Sequence, residues 1–177
     1  FIYFACLGLA YLCVEIPLAQ RFILTLGQPV SALAVVLFAL LLSSGLGSLT
    51  VRRWSLNTAL LILVILVVLY PLLLAGLARI TLNLAENGRM IYTVLILAPL
   101  GYFMGLPFAG GLQIVEQQEK SLVPWSWAIN GSFSVISSVL AVLVALTWGL
   151  SAVFWLGAAA YVGAFLAFGS LILRRQR

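Results

Sequence analysis

The sequence has very little charge, because Asp, Glu, Lys and Arg make up only 7% of its 177 residues. A soluble globular domain has about 25%. So few charges cannot build a water-facing surface, which excludes a soluble globular protein. The chain also has no histidine and only four acidic residues. These shortages remove most of the ligands and general bases that metal sites and enzymes use, so we predict no metal, no cofactor and no catalytic site.

Cysteine is also scarce, with Cys6 and Cys13 as its two examples. They lie about two helical turns apart within one apolar stretch, which is too far for a disulfide, so we predict two thiols packed as small apolar side chains. The net charge of +5 is spread over loops and ends without interleaved aromatics. It predicts membrane orientation and contact with lipid head groups, and it excludes nucleic-acid binding.

Hydrophobic residues make up 64% of the chain, and they form long runs such as "ALLILVILVVLYPLLLAGL" at 59–77. The runs lack the alternation of a transmembrane strand and reach the roughly 20 residues that a membrane-spanning helix needs. We therefore predict an all-α polytopic membrane protein, a single domain of six transmembrane helices. The predicted spans are 1–26, 30–49, 56–77, 90–115, 123–147 and 151–173. The chain begins on Phe1 without a methionine or a basic segment, so we expect it to be part of a longer polypeptide.

The basic residues predict the orientation of these spans. Six of them fall on the side that holds both termini: Arg52, Arg53, Lys120, Arg174, Arg175 and Arg177. Three fall on the other side: Arg21, Arg79 and Arg89. Because positive charge is retained on the cytoplasmic side, we predict a multi-pass protein of the cell membrane with both termini in the cytoplasm.

Glu15 is the one acidic residue that we predict within an apolar span. A charged side chain at the bilayer centre costs about 2.5–3.5 kcal/mol on insertion scales, so such residues commonly face the bundle interior. In one interpretation Glu15 binds a cation, a proton or a polar ligand there. In the other, Glu15 and Arg21 lie near the interface and fix helix packing. The candidate polar intramembrane site comprises Glu15, Gln20, Arg21, Gln113, Asn130 and Ser134.

Four positions predict helix breaks: Pro17, Pro99, Gly105 and Pro107. Proline removes one hydrogen bond of the helix and glycine loosens it. The span 90–115 is about 39 Å long at 1.5 Å per residue, which exceeds the roughly 30 Å hydrocarbon core, so we expect it to be broken or strongly tilted. Broken helices form substrate or ion sites in many transporters, although neighbouring helices also repair such breaks without a ligand.

Two further stretches carry small and polar residues at helical spacing. In "SSGLGSL", the residues Ser43, Ser44, Gly47 and Ser48 predict a helix-packing surface, with a hinge or a polar lining as the alternative. In "WAINGSFSVISS", Asn130, Ser134 and Ser138 recur at i, i+4 and i+8 and predict one polar helix face. That face is either an inner wall of the bundle or a row of interhelical hydrogen bonds.

Several blocks together resemble a known family: "FACLGLAYLCVEIPLAQRF", "LGQPVSALAVVLFALLLSSGLGSL", "MGLPFAGGLQ" and "VPWSWAINGSFSVISSVLAVLVA". They are similar to the membrane region of bacterial spermidine-synthase-like proteins. In that family, helices similar to half of a major facilitator bundle accompany a methyltransferase-like domain. The resemblance implies the bacterial inner membrane and a soluble domain in the same chain. It implies no catalytic residue within this sequence, which lacks a nucleotide-binding glycine loop.

Three functions are compatible with these patterns. The first is the membrane domain of a spermidine-synthase-like protein, which acts as an anchor and as a path for a small polar or cationic compound. The second is a structural transmembrane subunit that packs on other membrane subunits. The third is half of a secondary transporter. The predicted partners are the lipid bilayer, a soluble methyltransferase-like domain and other membrane subunits.

Overall fold

The computed structural model describes the backbone of residues 1–82 and 84–175 and the side chains of 1–74 and 84–169. The described chain is all-α, which confirms the predicted fold class. It contains six long helices, each long and apolar enough to cross a membrane. They are α1 (Ile2–Leu26), α2 (Pro29–Leu49), α3 (Leu56–Leu82), α4 (Glu86–Gln118), α5 (Val123–Trp148) and α6 (Leu150–Arg175).

The predicted helix breaks are absent. α1 continues through Pro17, and α4 continues through Pro99, Gly105 and Pro107 as one helix of 33 residues. α4 is therefore about 50 Å long at 1.5 Å per residue, so it extends past a hydrocarbon core of about 30 Å. An intact helix is favoured because hydrocarbon offers no water to backbone groups that a break would expose.

Side chain–backbone hydrogen bonds fix the helix directions. At one end of the bundle, the Tyr3 hydroxyl at the start of α1 donates to the Pro107 carbonyl of α4 at 2.6 Å. At the other end, the Arg89 guanidinium at the start of α4 donates to the Thr25 carbonyl of α1 at 3.3 Å. α1 and α4 are therefore antiparallel. We call the end that holds the short 3₁₀ turns Val51–Arg53 and Lys120–Leu122 the first end, and the end where α1 stops and α6 starts the second end.

The most extensive helix contact joins α2 and α4. Small residues on both helices let the backbones meet, because a Cβ on Gly47 would overlap the carbonyl oxygen of Tyr102, and a Cβ on Gly105 would overlap that of Ser44. Close approach of small residues is the main source of helix association where lipid gives no hydrophobic drive. The predicted packing stretch thus lies at this contact, where Ser43 packs against Gly101.

The loop after α2 is tied to α4 at the first end. The Tyr102 hydroxyl is hydrogen-bonded to the Thr50 hydroxyl and accepts a hydrogen bond from the Trp54 indole at 3.1 Å. The Trp54 ring also packs edge-on against Phe103, with ring centroids 5.2 Å apart. This cluster holds the Val51–Arg53 turn against the bundle and leaves the Arg52 and Arg53 side chains exposed.

The outer surface is apolar, with exposed Leu, Ile, Val and Phe side chains on α2, α3 and α5. Such a continuous apolar surface requires a lipid environment. Lys120, one of the residues of the orientation prediction, is exposed at the first end, and so is Trp125 nearby. The side chains of four residues used in the orientation prediction lie outside the described residues: Arg79, Arg174, Arg175 and Arg177.

Candidate functional site

A cavity of about 480 Å³ lies between α1, α2, α4 and α5 in the half of the bundle nearer the first end. We call it the tyrosine cavity. Its polar lining residues are Tyr11, Ser44, Ser48, Asn130, Ser134 and Tyr161, and its aromatic walls include Phe108 and Trp127. The cavity lining contains no charged side chain. Its volume is within the roughly 300–1,000 Å³ of small-molecule sites.

One wall of the cavity is a parallel contact of α5 with α1. The Asn130 amide donates to the Phe4 carbonyl at 3.1 Å. The Ser134 hydroxyl shares its proton between the Asn130 carbonyl of its own helix at 2.9 Å and the Gly8 carbonyl of α1 at 3.3 Å. Gly8 has no room for a Cβ beside the Asn130 carbonyl. Asn130 and Ser134 therefore line the cavity and bind α1 at the same time, which combines the two interpretations of this stretch.

Ser137, rather than the predicted Ser138, continues this polar face. The Ser137 hydroxyl donates to the Leu9 carbonyl of α1 at 2.7 Å and lies 3.2 Å from the Cys13 sulfur. Ser138 instead donates to the Val135 carbonyl of its own helix at 2.7 Å. At about 100° per residue, position i+7 returns within about 20° of Asn130, whereas position i+8 lies about 80° away. Cys13 and Cys6 are both free thiols.

Tyr11 brings to the cavity a hydroxyl that has no hydrogen-bond partner among the described residues. This hydroxyl is buried, and the Ser44 side chain lies near it but not at hydrogen-bond geometry. The Tyr161 side chain of α6 is 1% exposed and also lines the cavity. A buried hydroxyl without a partner loses free energy, and a ligand in the cavity would supply the missing partner.

The aromatic wall lies at the first-end side of the cavity. Trp127 packs edge-on against Phe108 with ring centroids 4.7 Å apart, and Phe108 packs on Phe4 at 5.9 Å. Trp127 is 57% exposed, so its ring stands at the rim rather than in the interior. Aromatic faces attract cations as well as apolar groups.

Glu15 lies about one helical turn beyond Tyr11 on α1, towards the second end. It is half-buried, and it forms no hydrogen bond or ion pair within the part of the chain that the structure describes. It lines no part of the tyrosine cavity. It is nevertheless within electrostatic reach of both cavity tyrosines, Tyr11 and Tyr161.

The structure divides the predicted polar site into separate places. Asn130 and Ser134 line the tyrosine cavity, whereas Gln20 and Arg21 line a different groove at the second end. Gln113 is half-buried on α4 and lines neither. The sequence reasoning missed Tyr11 and Tyr161, although the spacing of Tyr11 and Glu15 at i and i+4 was a usable signal.

Among the described residues, no group of three or more His, Cys, Asp or Glu side chains is arranged to hold a metal ion. Comparison with protein families, curated proteins and solved structures finds no match for this chain. The chemistry of its cavities is therefore the basis for assigning a function.

Proposed function

We propose that this chain is an integral membrane domain that binds a small cationic or polar compound in the tyrosine cavity. The observation that carries the proposal is the buried Tyr11 hydroxyl, which faces a cavity of about 480 Å³ and lacks a hydrogen bond among the described residues. Ligand sites typically combine apolar walls with a few such convergent polar groups.

The charge distribution favours a cation. The cavity lining supplies hydroxyl and carbonyl oxygens and aromatic rings, and the nearest formal charge in electrostatic contact with its tyrosines is Glu15. Arg52, Arg53 and Lys120 are exposed in the loops. An ammonium group between Tyr11 and the Trp127 rim would gain both hydrogen bonds and cation–π attraction.

The same residues suggest a path across the membrane. The cavity occupies the half nearer the first end, which we assign to the cytoplasm because Arg52, Arg53 and Lys120 lie there. Beyond the cavity, Glu15 is the next polar side chain on α1 towards the second end. A cation leaving the cavity would therefore meet Glu15 about one helical turn further on.

In this proposal the chain is the membrane region of a spermidine-synthase-like protein of the bacterial inner membrane. The sequence blocks around Glu15, Gly47, Pro107 and Asn130 support the assignment, which makes spermidine the first cation to test. The helices would anchor a soluble methyltransferase-like domain in the same polypeptide. The sequence of the gene upstream of Phe1 tests this assignment directly.

Tyr11→Phe tests ligand binding, because it removes only the unpaired hydroxyl. We expect radiolabelled spermidine to bind the purified wild-type chain and to bind the variant about tenfold more weakly, since a hydrogen bond to a charged group contributes about 1.5–3 kcal/mol. Tyr92→Phe is the matched control: its hydroxyl is also buried and unpartnered among the described residues, but it lies outside the cavity lining. Equal affinity of both variants, or no binding to the wild type, contradicts the proposal.

Glu15→Gln tests the proposed path across the membrane. The measurement is the initial rate of spermidine uptake into proteoliposomes that contain the purified chain. We expect the initial rate to fall roughly tenfold, because two unit charges about 10 Å apart interact by more than 1 kcal/mol at an effective dielectric constant of about 20. Glu116→Gln, which removes an exposed carboxylate after the membrane span, is the control. Uptake that does not change with Glu15→Gln removes this residue from the path without affecting the binding proposal.

The exposure of α5 favours two alternative functions: first, half of a paired secondary transporter, and second, a structural subunit of a larger membrane complex. Only 11% of its span is buried, and it packs mainly on α1 rather than on α2, which stands across the tyrosine cavity. A second copy placed there would form a paired transporter, whereas a different subunit would make this chain a structural component of a larger complex. Isolation from native membranes separates them: a homodimer supports the first alternative, and a stoichiometric complex with other proteins supports the second.

A further inference from the structure

A second groove of about 500 Å³ opens at the second end between α1, α3 and α6. We call it the Arg21 groove. Its polar lining residues are Gln20, Arg21, Thr25 and Ser151, and its apolar walls include Leu18, Pro71, Phe154 and Trp155. The groove is separate from the tyrosine cavity, so this inference does not rest on the proposed function.

Arg21 carries a positive charge that the rest of the described chain does not neutralise. Its side chain is exposed and forms no hydrogen bond or ion pair within the described ranges. The nearest acid on its own helix is Glu15, six residues earlier, and the acid at the start of α4 is Glu86; neither is paired with it. A guanidinium has five N–H donors, which fit the oxygens of a phosphate.

The groove is amphipathic along the bundle axis. α1 runs towards the second end, so Leu18 lies deeper than Arg21 and Thr25. α6 starts at that end, so Ser151 lies at the surface and Phe154 and Trp155 lie deeper. The mouth thus holds the polar groups together with Leu24 and Leu150, and the lining that continues towards the bilayer centre is apolar.

We propose that the Arg21 groove binds an anionic glycerophospholipid. The phosphate accepts hydrogen bonds from the Arg21 guanidinium and from Gln20 and Ser151, and one acyl chain lies along Leu18, Pro71 and Phe154. A guanidinium forms strong charge-assisted hydrogen bonds with phosphate oxygens, which fits a lipid head group at the mouth of the groove. A soluble phosphate compound fits less well, because the deeper apolar wall would have no partner.

The test is native mass spectrometry of the purified chain in detergent, titrated with dioleoylphosphatidylglycerol. Arg21→Gln is expected to weaken lipid binding about fivefold, since one basic side chain near a head group contributes about 1 kcal/mol. Arg52→Gln, which removes the same charge from the exposed turn at the first end, is expected to leave this binding unchanged. Phosphatidylglycerol with brominated acyl chains should quench tryptophan fluorescence more in the wild type than in Trp155→Phe, because Trp155 lines the groove.

Three results would overturn the proposal. Equal weakening by the Arg21 and Arg52 variants would mean that the lipid responds to net charge rather than to this groove. Displacement of the lipid by millimolar inorganic phosphate would assign the site to a free anion. Quenching that is the same in the wild type and in Trp155→Phe would place the acyl chain elsewhere. Because Arg21 makes no bond within the described chain, its substitution leaves the fold intact, which size-exclusion chromatography verifies.

Discussion

Gly47→Val is expected to destabilise the bundle by about 3 kcal/mol or to prevent its folding. The added side chain would overlap the carbonyl oxygen of Tyr102 on α4, and neither backbone can move without opening the most extensive helix contact of the molecule. Overpacking of a well-packed contact typically costs about 1–3 kcal/mol, and an overlap with backbone lies at the upper end of that range.

Gly45→Val, two residues away on the same helix, provides the matched control. Apart from its two chain neighbours and the nearby backbone of its own helix, no described atom lies within 4 Å of the position that a Gly45 Cβ would take. Both substitutions have the same intrinsic effect on helix propensity, so their difference reports packing alone. The difference in stability is measured by unfolding both variants with sodium dodecyl sulfate in mixed micelles and monitoring helix content by circular dichroism. If the two variants unfold at the same detergent fraction, the α2–α4 contact is not as close as described.

Ser137→Leu is expected to have the next largest effect, about 2–3 kcal/mol. Ser137 is fully buried between α5 and α1, where its hydroxyl donates to the Leu9 carbonyl. Leucine would both remove this interhelical hydrogen bond, worth about 0.6 kcal/mol, and insert a larger side chain into the contact.

Ser138→Leu separates this effect from a general change in hydrophobicity. The Ser138 hydroxyl bonds only to its own helix at Val135, so leucine there is expected to leave stability within about 0.5 kcal/mol of the wild type. The same detergent-unfolding measurement applies to both variants. Comparable losses at 137 and 138 would show that the polar face of α5 is oriented differently.

The helices were largely predictable because long apolar runs permit few alternatives in lipid. The ends of the helices were less predictable, since a helix continues beyond the apolar stretch that marks its membrane span. α4 was predicted to begin at residue 90 but begins at Glu86, and it ends at Gln118 rather than at 115. Backbone hydrogen bonding, rather than hydropathy, decides where such a helix stops. The predicted breaks at Pro99 and Pro107 were wrong for a related reason: local propensity is overridden by the environment.

The candidate site was only partly predictable. The spacing of Asn130 and Ser134 identified one wall of the tyrosine cavity, because both lie on a single helix face. The i, i+4 spacing to Glu15 could have drawn attention to Tyr11, but its lack of a hydrogen-bond partner could not be predicted, since that depends on the residues of neighbouring helices. Glu15 and Arg21 were grouped by proximity in the chain, although the five residues between them separate their surroundings.

The two close helix contacts determine where this protein can change shape. Glycines fasten α2 to α4, and the row of hydroxyl and amide groups on α5 fastens that helix to α1. We treat each pair as one body; the tyrosine cavity lies between the two bodies, and the hydrogen bond from Tyr3 to the Pro107 carbonyl joins them. Any widening that admits or releases a molecule must tilt one body against the other. The contacts within each pair would survive such a tilt, whereas the Tyr3 hydrogen bond to Pro107 between the pairs would have to break.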